Sequence, residues 1–512
     1  METANRSFAL TTAAILTALA AGAYLSQFVI LPLHEDIVFV TQVTRNLISD
    51  GNLKNAGICY PFQVLRSNFQ STDPFFAPYV LSVFYFWPFF KLLGSTDFAF
   101  FIGQALLLLL LGKTLAKSEM GWRWAILTIS AGVLTGTLVG SICFSPTQLL
   151  AICFMAYFWL RAESDSPPLT VWDDLLLGAV FFLRPEALFM GVLSVFRNVF
   201  KFSETKKRIR FLAVTAGTAL LSIGAISWLR RVLGAASDPD CMSYLLLANV
   251  LAPGFRTLGL AYVPPATSVL HDPVIFRGFC QKVLLNLQMT FSSKTILRDR
   301  RDWELLILPL FPIALRKSRS GYYFPAYALL IFQVIVSAVL LPLPRHFDAA
   351  VFFVLWALIR DLKRVDDWTA SRFNSLFQKG ILLASIIALA IPLSSMAEGI
   401  RGSLRVRADL LDASQQAHRC VPQEAFVITD MPELWLWYGR GKMCCFVPFY
   451  HPDTMRLMLT KFPQAYLVMF LGSGRAGFPM EPFGRPLLNS LHHVKIYGPA
   501  SDTLLPEHSM IK

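Results

Sequence analysis

Residues 175–200 read LLLGAVFFLRPEALFMGVLSVFRNVF, an apolar run interrupted at its middle by Arg184, Pro185 and Glu186. One helix across a bilayer takes about 20 apolar residues, and two take about 40. The run is too long for one crossing and too short for two. Lys206, Lys207, Arg208 and Arg210 follow it, so the positive-inside rule puts its far end in the cytosol. Its start, after Ser164 to Pro168, belongs on the same side. Two short helices meeting at Arg184-Pro185-Glu186 satisfy both limits. A turn at membrane depth is tolerated only where it lines a protein cavity. Charged side chains there cost about 2.5–3.5 kcal/mol each at a helix centre, so they need partners. Two readings stand side by side. One is a mutual ion pair that pins the two helices. The other is an arginine held for a phosphate, with Glu186 orienting it, because a guanidinium fork bonds two phosphate oxygens at once.

The rest of the chain has the same character. Of its 512 residues, 55% are hydrophobic and only 15% charged, against about 25% charged in a soluble domain. The net charge of +13 sits mostly in short loops between apolar segments, which is a topology signal. No basic stripe with interleaved aromatics lies outside those loops, so nucleic acid is not expected as a partner. The first helix is placed at Phe8–Pro32. It resembles a signal peptide in Arg6 and in its small residues at Ala18-Leu19-Ala20, but its apolar character runs on to Leu33, as in a retained anchor. Tyr79–Leu93 is short and aromatic and suits the membrane interface. Further crossings are expected at Phe98–Leu115, Trp124–Val139, Leu149–Leu160, Phe211–Leu229, Leu305–Leu315, Tyr322–Leu341, Phe347–Ile359 and Ile381–Ser394. The expectation is an all-α polytopic membrane protein with about eleven transmembrane helices. Its N-terminus is cytoplasmic, and outer loops span about 34–96 and 230–302.

Residues 398–512 are soluble in character. Ala425–Thr429, Cys444–Phe449 and Ala465–Phe470 read as strands, and Pro452–Leu459 and Arg485–Leu491 as helices. This alternation points to a small C-terminal α/β domain on the extracytoplasmic (periplasmic) face. Residues 1–397 then form the transmembrane domain. Six of the eight cysteines (Cys59, Cys241, Cys280, Cys420, Cys444 and Cys445) fall on segments placed outside, where disulfides are permitted. Their pairing does not follow from spacing.

Glu35 and Asp36 come directly after the first helix. They suit the first turn of a hydrated helix, or a pair in which one acid takes a proton from an acceptor hydroxyl. His34 beside them makes Asp36 and His34 a candidate site for a divalent cation. Arg345 and His346 stand at the outer end of a crossing, either snorkelling or as further cations for the same phosphate. Arg230 and Arg231 are weaker candidates of the same kind.

These pieces resemble the GT-C-fold membrane glycosyltransferases that use polyprenyl-phosphate sugars, in particular bacterial arabinofuranosyl- and mannosyltransferase-like proteins. The match runs from Glu35-Asp36 through Arg45-Asn46-Leu47 to Gly51, then to Leu183-Arg184-Pro185-Glu186-Ala187, then to Arg345. Glu35 stands where the family commonly has Asp, and His346 where it has Tyr. The resemblance implies an inverting glycosyltransferase at the outer face of the inner membrane. Glu35 or Asp36 would be the base or a metal ligand. Arg45, Arg184, Glu186, Arg345 and His346 would bind substrate. The implied partners are a polyprenyl-phosphate-sugar donor, a glycan, lipid or protein acceptor, and membrane lipid. A transporter or flippase of lipid-linked sugars would share the buried arginine and basic inner loops, but it should show related halves, and none is visible. A non-catalytic assembly protein of the same fold is the third reading.

Overall fold

Long apolar runs fold as helices here because only a helix pairs its backbone N–H and C=O groups within one segment when water is absent. The computed structural model describes residues 35–53, 57–65, 80–134, 138, 145, 147–163, 170–234, 246–248, 250–252, 259–291, 323–340, 347–370, 408–447, 451–470, 485–491 and 494–499. They fall into two compact units. One draws on Phe76–Gly234 and Val283–Arg401, the other on Leu31–Phe75, Ala235–Lys282 and Gly402–Lys512. The tail falls in the second unit from Gly402 on. Both outer-loop segments contribute to the unit that holds the tail.

The helices are α1 (Glu35–Ser49), α2 (Val80–Leu93), α3 (Asp97–Leu115), α4 (Gly121–Leu134), α5 (Gln148–Glu163), α6 (Val171–Val180), α7 (Pro185–Val199), α8 (Thr205–Val232), α9 (Pro273–Phe291), α10 (Phe324–Val339), α11 (Asp348–Ala370) and α12 (Pro452–Lys461). In the first unit, α3 starts at Thr96, whose side chain accepts from Ala99 N, satisfying one of the orphan donors of a helix start. Tyr85 Oη donates to the Gly103 carbonyl at 2.6 Å, and the Phe86 and Phe100 rings lie 4.8 Å apart, joining α2 to α3. Trp159 of α5 packs on Phe353 and Trp356 of α11. The Glu163 carboxylate accepts from Trp159 Nε1 and from Arg360 of α11, each at 2.7 Å. Ser222 Oγ donates to the Leu175 carbonyl at 2.8 Å and ties α8 to α6.

The apolar run at 175–200 divides as expected, with α6 ending at Val180 and α7 beginning at Pro185. By length and composition, two described helices are apolar enough to cross a membrane, at Asp97–Ser118 and Thr205–Val232. α8 turns Leu220, Leu221 and Trp228 outward, all more than 60% exposed, a face that suits lipid. The expected crossings at Phe8–Pro32, Leu305–Leu315 and Ile381–Ser394 lie outside the described residues.

The second unit is built on a sheet of β1 (Ile58–Cys59), β2 (Val427–Thr429), β3 (Cys444–Phe446), β4 (Tyr466–Met469), β5 (Leu487–Leu491) and β6 (Val494–Tyr497). The strand order is β1-β3-β2-β4-β6-β5. The first four strands run parallel, and β5 and β6 close the far side antiparallel. The three expected strands are present as β2, β3 and β4. Arg485–Leu491 is a correction: it was expected as a helix, and Leu487–Leu491 is a strand. The missing term was tertiary. β6 lies beside it and supplies a ladder of backbone bonds, which overrides a weak local preference.

β1 comes from the first outer-loop segment and was not foreseen. Gly57 leads into it at φ 72°, a conformation that glycine adopts without strain. A Cβ on Gly57 would stand 2.7 Å from the Lys442 carbonyl oxygen, and its own carbonyl accepts from Cys444 N at 2.7 Å. Lys461 Nζ of α12 adds bonds to the carbonyls of Val64 and Leu65, both at 3.1 Å.

Arg485 anchors the other side of the sheet. Its guanidinium is buried and donates to the carbonyls of Ala465, of Pro463 at 3.1 Å, and of Phe462 and Gly498 at 3.3 Å. These join the end of α12, the entry to β4 and the exit from β6. Burial holds its pKa below the usual arginine value. Removing the fork strands several buried acceptors, at about 1–3 kcal/mol for each one left unsatisfied. Arg485→Leu is therefore expected to destabilise the second unit by about 3 kcal/mol, read as a lower urea midpoint for the burial of Trp435 and Trp437 fluorescence. An unchanged midpoint would rule out this anchoring role.

Candidate functional site

The turn between α6 and α7 is set by local rules. Thr170 and Asp173 form a reciprocal capping box at the start of α6. Asp173 also accepts from Arg161 Nη2 at 2.8 Å and from the Tyr157 hydroxyl, which fastens α6 to α5. α6 ends in a turn in which Phe182 N and Leu183 N reach the carbonyls of Ala179 and Val180, both at 3.0 Å. Arg184 is then extended, at φ −157° and ψ 144°, and Pro185 starts α7. Proline fits that first position because its missing N–H would have no partner there anyway. Glu186 falls in the first turn, where the helix dipole favours a carboxylate.

This backbone brings Arg184 and Glu186 together. Nε and Nη2 of Arg184 donate to the two carboxylate oxygens of Glu186 at 3.2 and 3.1 Å. The side chains are only 12% and 7% exposed. Nη1 donates to Ser145 Oγ at 3.3 Å and to Thr147 Oγ1 at 3.4 Å. Those two hydroxyls are 3.2 Å apart. The ion pair of the first reading exists, and it fixes the orientation of the guanidinium. Ser145 and Thr147 were not among the expected site residues; a short Ser-Pro-Thr turn carries too little signal alone. Arg230, a weaker candidate, is placed by α8 with its guanidinium 5.5 Å from the ring centre of Phe182. Its buried Nε has no hydrogen-bond partner among the described residues.

The acids belong to the second unit. Glu35 and Asp36 open α1. Ile37, Val38, Val40, Thr41 and Thr44 of that helix are buried, so the segment packs along its length. Arg45, expected to bind substrate, lies against the tail. Its guanidinium sits 4.3 Å from the ring centre of Trp437, and Nη1 donates to the Leu436 carbonyl at 3.4 Å. Burial, and secondarily the nearby Arg440, lower its pKa to about 10, still high enough to keep it charged at neutral pH. Trp435, two residues before Trp437, donates Nε1 to the Met443 carbonyl at 3.1 Å. In this arrangement Arg45 fastens the acid-bearing helix to the tail. His34, Arg345 and His346 lie outside the described residues, as do the side chains of Glu35 and Asp36. Among the described residues, no three His, Cys, Asp or Glu side chains gather as a metal site.

No family model matches the sequence, and no characterised protein matches it by sequence. Among solved structures, the chain is similar to ArnT from Cupriavidus metallidurans bound to undecaprenyl phosphate. The identity is 12% and the TM-score 0.53, over 96% of this chain and 99% of that one. The apo state of the same protein gives 12% identity and a TM-score of 0.48, over 94% and 97%. The oligosaccharyltransferase of Archaeoglobus fulgidus gives 11% and 0.46, over 90% and 69%. The first likeness spans nearly the whole of both chains, and on it the present chain has a GT-C fold, the architecture of integral membrane proteins.

Proposed function

We propose that the protein is a glycosyltransferase that moves a sugar from a polyprenyl-phosphate donor to an acceptor hydroxyl at the outer face of the membrane, with inversion. The observation that carries the proposal is the Arg184–Glu186 clasp at a helix break, in a chain that shares its fold with a protein bound to undecaprenyl phosphate. In this reading, Glu35 or Asp36 takes the proton from the acceptor hydroxyl as its oxygen attacks the anomeric carbon. The glycosidic bond to the phosphate breaks, and the leaving lipid phosphate gains negative charge. Arg184 meets that charge with Nη1. The present bonds from Nη1 to two neutral hydroxyls are long, and an anionic oxygen would be held at about 2.7–2.9 Å and roughly twice as strongly. Glu186 keeps the fork from rotating, so little reorganisation is needed when charge develops. Arg230 and Arg345 are the further cations, and His346 lies beside the latter. If a divalent cation takes part, Asp36 and His34 would hold it.

Transfer is measured with a donor labelled in the sugar. Glu35→Gln or Asp36→Asn should lower the rate by about 10²–10⁴-fold, whichever removes the base. Full transfer by both variants would exclude the acids from the reaction. Transport of the intact labelled lipid without sugar release would favour the flippase reading.

Arg184→Lys keeps the charge but loses the fork. It should weaken transfer about ten- to a hundredfold, chiefly by raising the KM for donor. Unchanged KM and kcat would remove Arg184 from donor binding.

A further inference from the structure

β1 and β3 meet in parallel register with Ile58 opposite Cys444 and Cys59 opposite Cys445. Side chains alternate faces along a strand, so Cys59 and Cys445 point to one side of the sheet and Cys444 to the other. The packing agrees. Cys59 and Cys445 belong to one buried cluster with Val64, Ile428 and Met455, and Cys444 is not in it. Adjacent strands lie about 4.7–4.9 Å apart. That spacing falls inside the Cα separation a disulfide spans, about 4.4–6.8 Å. The Cys59 thiol reaches the Cys444 carbonyl at 3.2 Å, so its sulfur lies over β3.

We propose that Cys59 and Cys445 form a disulfide that locks the strand of the first loop segment to the sheet of the tail. The inference rests on the outer-face reading of this unit, since disulfides persist in oxidising compartments. The two thiols lose two protons and two electrons as the S–S bond forms. A disulfide of a thiol-oxidising protein accepts them and leaves as two thiols, through a mixed disulfide. Formation precedes closure of the sheet. Once buried, both sulfurs are shut from solvent, and burial together with the neighbouring Cys59 raises the Cys445 pKa well above the usual thiol value. A buried thiol of that kind exchanges slowly. The bond would close a very long loop, where a cross-link restricts the unfolded chain most. It would also hold the segment that follows the acid-bearing helix α1.

The test uses the full-length protein in intact cells. Free thiols are blocked with a maleimide in SDS, disulfides are then reduced, and the thiols so released receive a mass tag. The expected result is a tag on Cys59 and Cys445, located by peptide mass spectrometry. Cys445→Ala should expose Cys59 to the first reagent, and Cys444→Ala should not. Blocking of both cysteines in the wild-type protein, or a bond from Cys59 to Cys444, overturns the proposal. Cys280, exposed on α9, reports the compartment. If a membrane-impermeant maleimide labels it while Cys59 and Cys445 are reduced, the disulfide fails and the outer-face reading stands. If Cys280 is labelled only after permeabilisation, both fail.

Discussion

A guanidinium cannot be left among apolar helices without partners, and the turn at Arg184 is arranged around that constraint. The Arg184 N–H groups donate to two kinds of acceptor, a carboxylate and a pair of hydroxyls. Two face the Glu186 carboxylate, and Nη1 faces the hydroxyls of Ser145 and Thr147. To supply them, the chain breaks a long apolar segment, restarts it with proline, and places an acid in the first helical turn. The break brings a second consequence. α6 is only ten residues long, so it depends on its neighbours. Asp173 ties its start to α5, and Ser222 ties its flank to α8. A short helix held at both places keeps the turn that follows it from drifting.

The second unit meets a different demand. Its sheet is assembled from residues nearly four hundred positions apart, Cys59 and Cys444 being 385 apart in sequence. Bringing such distant segments together costs chain entropy that grows slowly with loop length, so a few well-placed contacts suffice. The contacts used are mostly to backbone: Lys461 to two carbonyls, Arg485 to four, and Gly57 in a two-way fit against Lys442 and Cys444. Arg485 in this way joins the end of α12, the entry to β4 and the exit from β6 through one guanidinium. Arg45 belongs to the same pattern. Its guanidinium lies over the Trp437 ring and joins α1 to the tail.

What could be read from the sequence was whatever local chemistry controls. The break at Pro185, the aromatic helix α2, the strands β2, β3 and β4, and the helix α12 all follow from apolar length, proline and turn residues. Three features could not be read in that way. β1 is two residues long, too short to show alternation, and exists because β3 is beside it. β5 takes its state from the pairing with β6. The hydroxyls of Ser145 and Thr147 acquire meaning only when Arg184 reaches them from 37 to 39 residues away. In each case the deciding partner is remote in sequence, and no local window holds it. The first outer-loop segment shows the same thing: Ile58 and Cys59 pair with Cys444 and Cys445, and Arg45 meets the Leu436 carbonyl, all far along the chain.

Charge balance at the turn bears on the proposed chemistry. Arg184 and Glu186 together carry no net charge, so as a pair they offer a phosphate direction more than attraction. A guanidinium held by a carboxylate leaves less of its burial cost uncompensated than an unpaired one would, which allows the site to stay formed before the donor arrives. The attraction must then come from a cation without a carboxylate partner. Arg230 has that character: its guanidinium lies over the Phe182 ring, two residues before Arg184, and its Nε is buried without a hydrogen bond among the described residues. An aromatic face partly satisfies a cation and blocks none of its in-plane donors. In the proposed mechanism this divides the work: Glu186 keeps Arg184 aimed, and Arg230 supplies the net positive charge that makes an anion stay. In the proposed site the arginine already neutralised is the one held by a carboxylate and two hydroxyls, and the one with charge to spare is the one an aromatic ring covers.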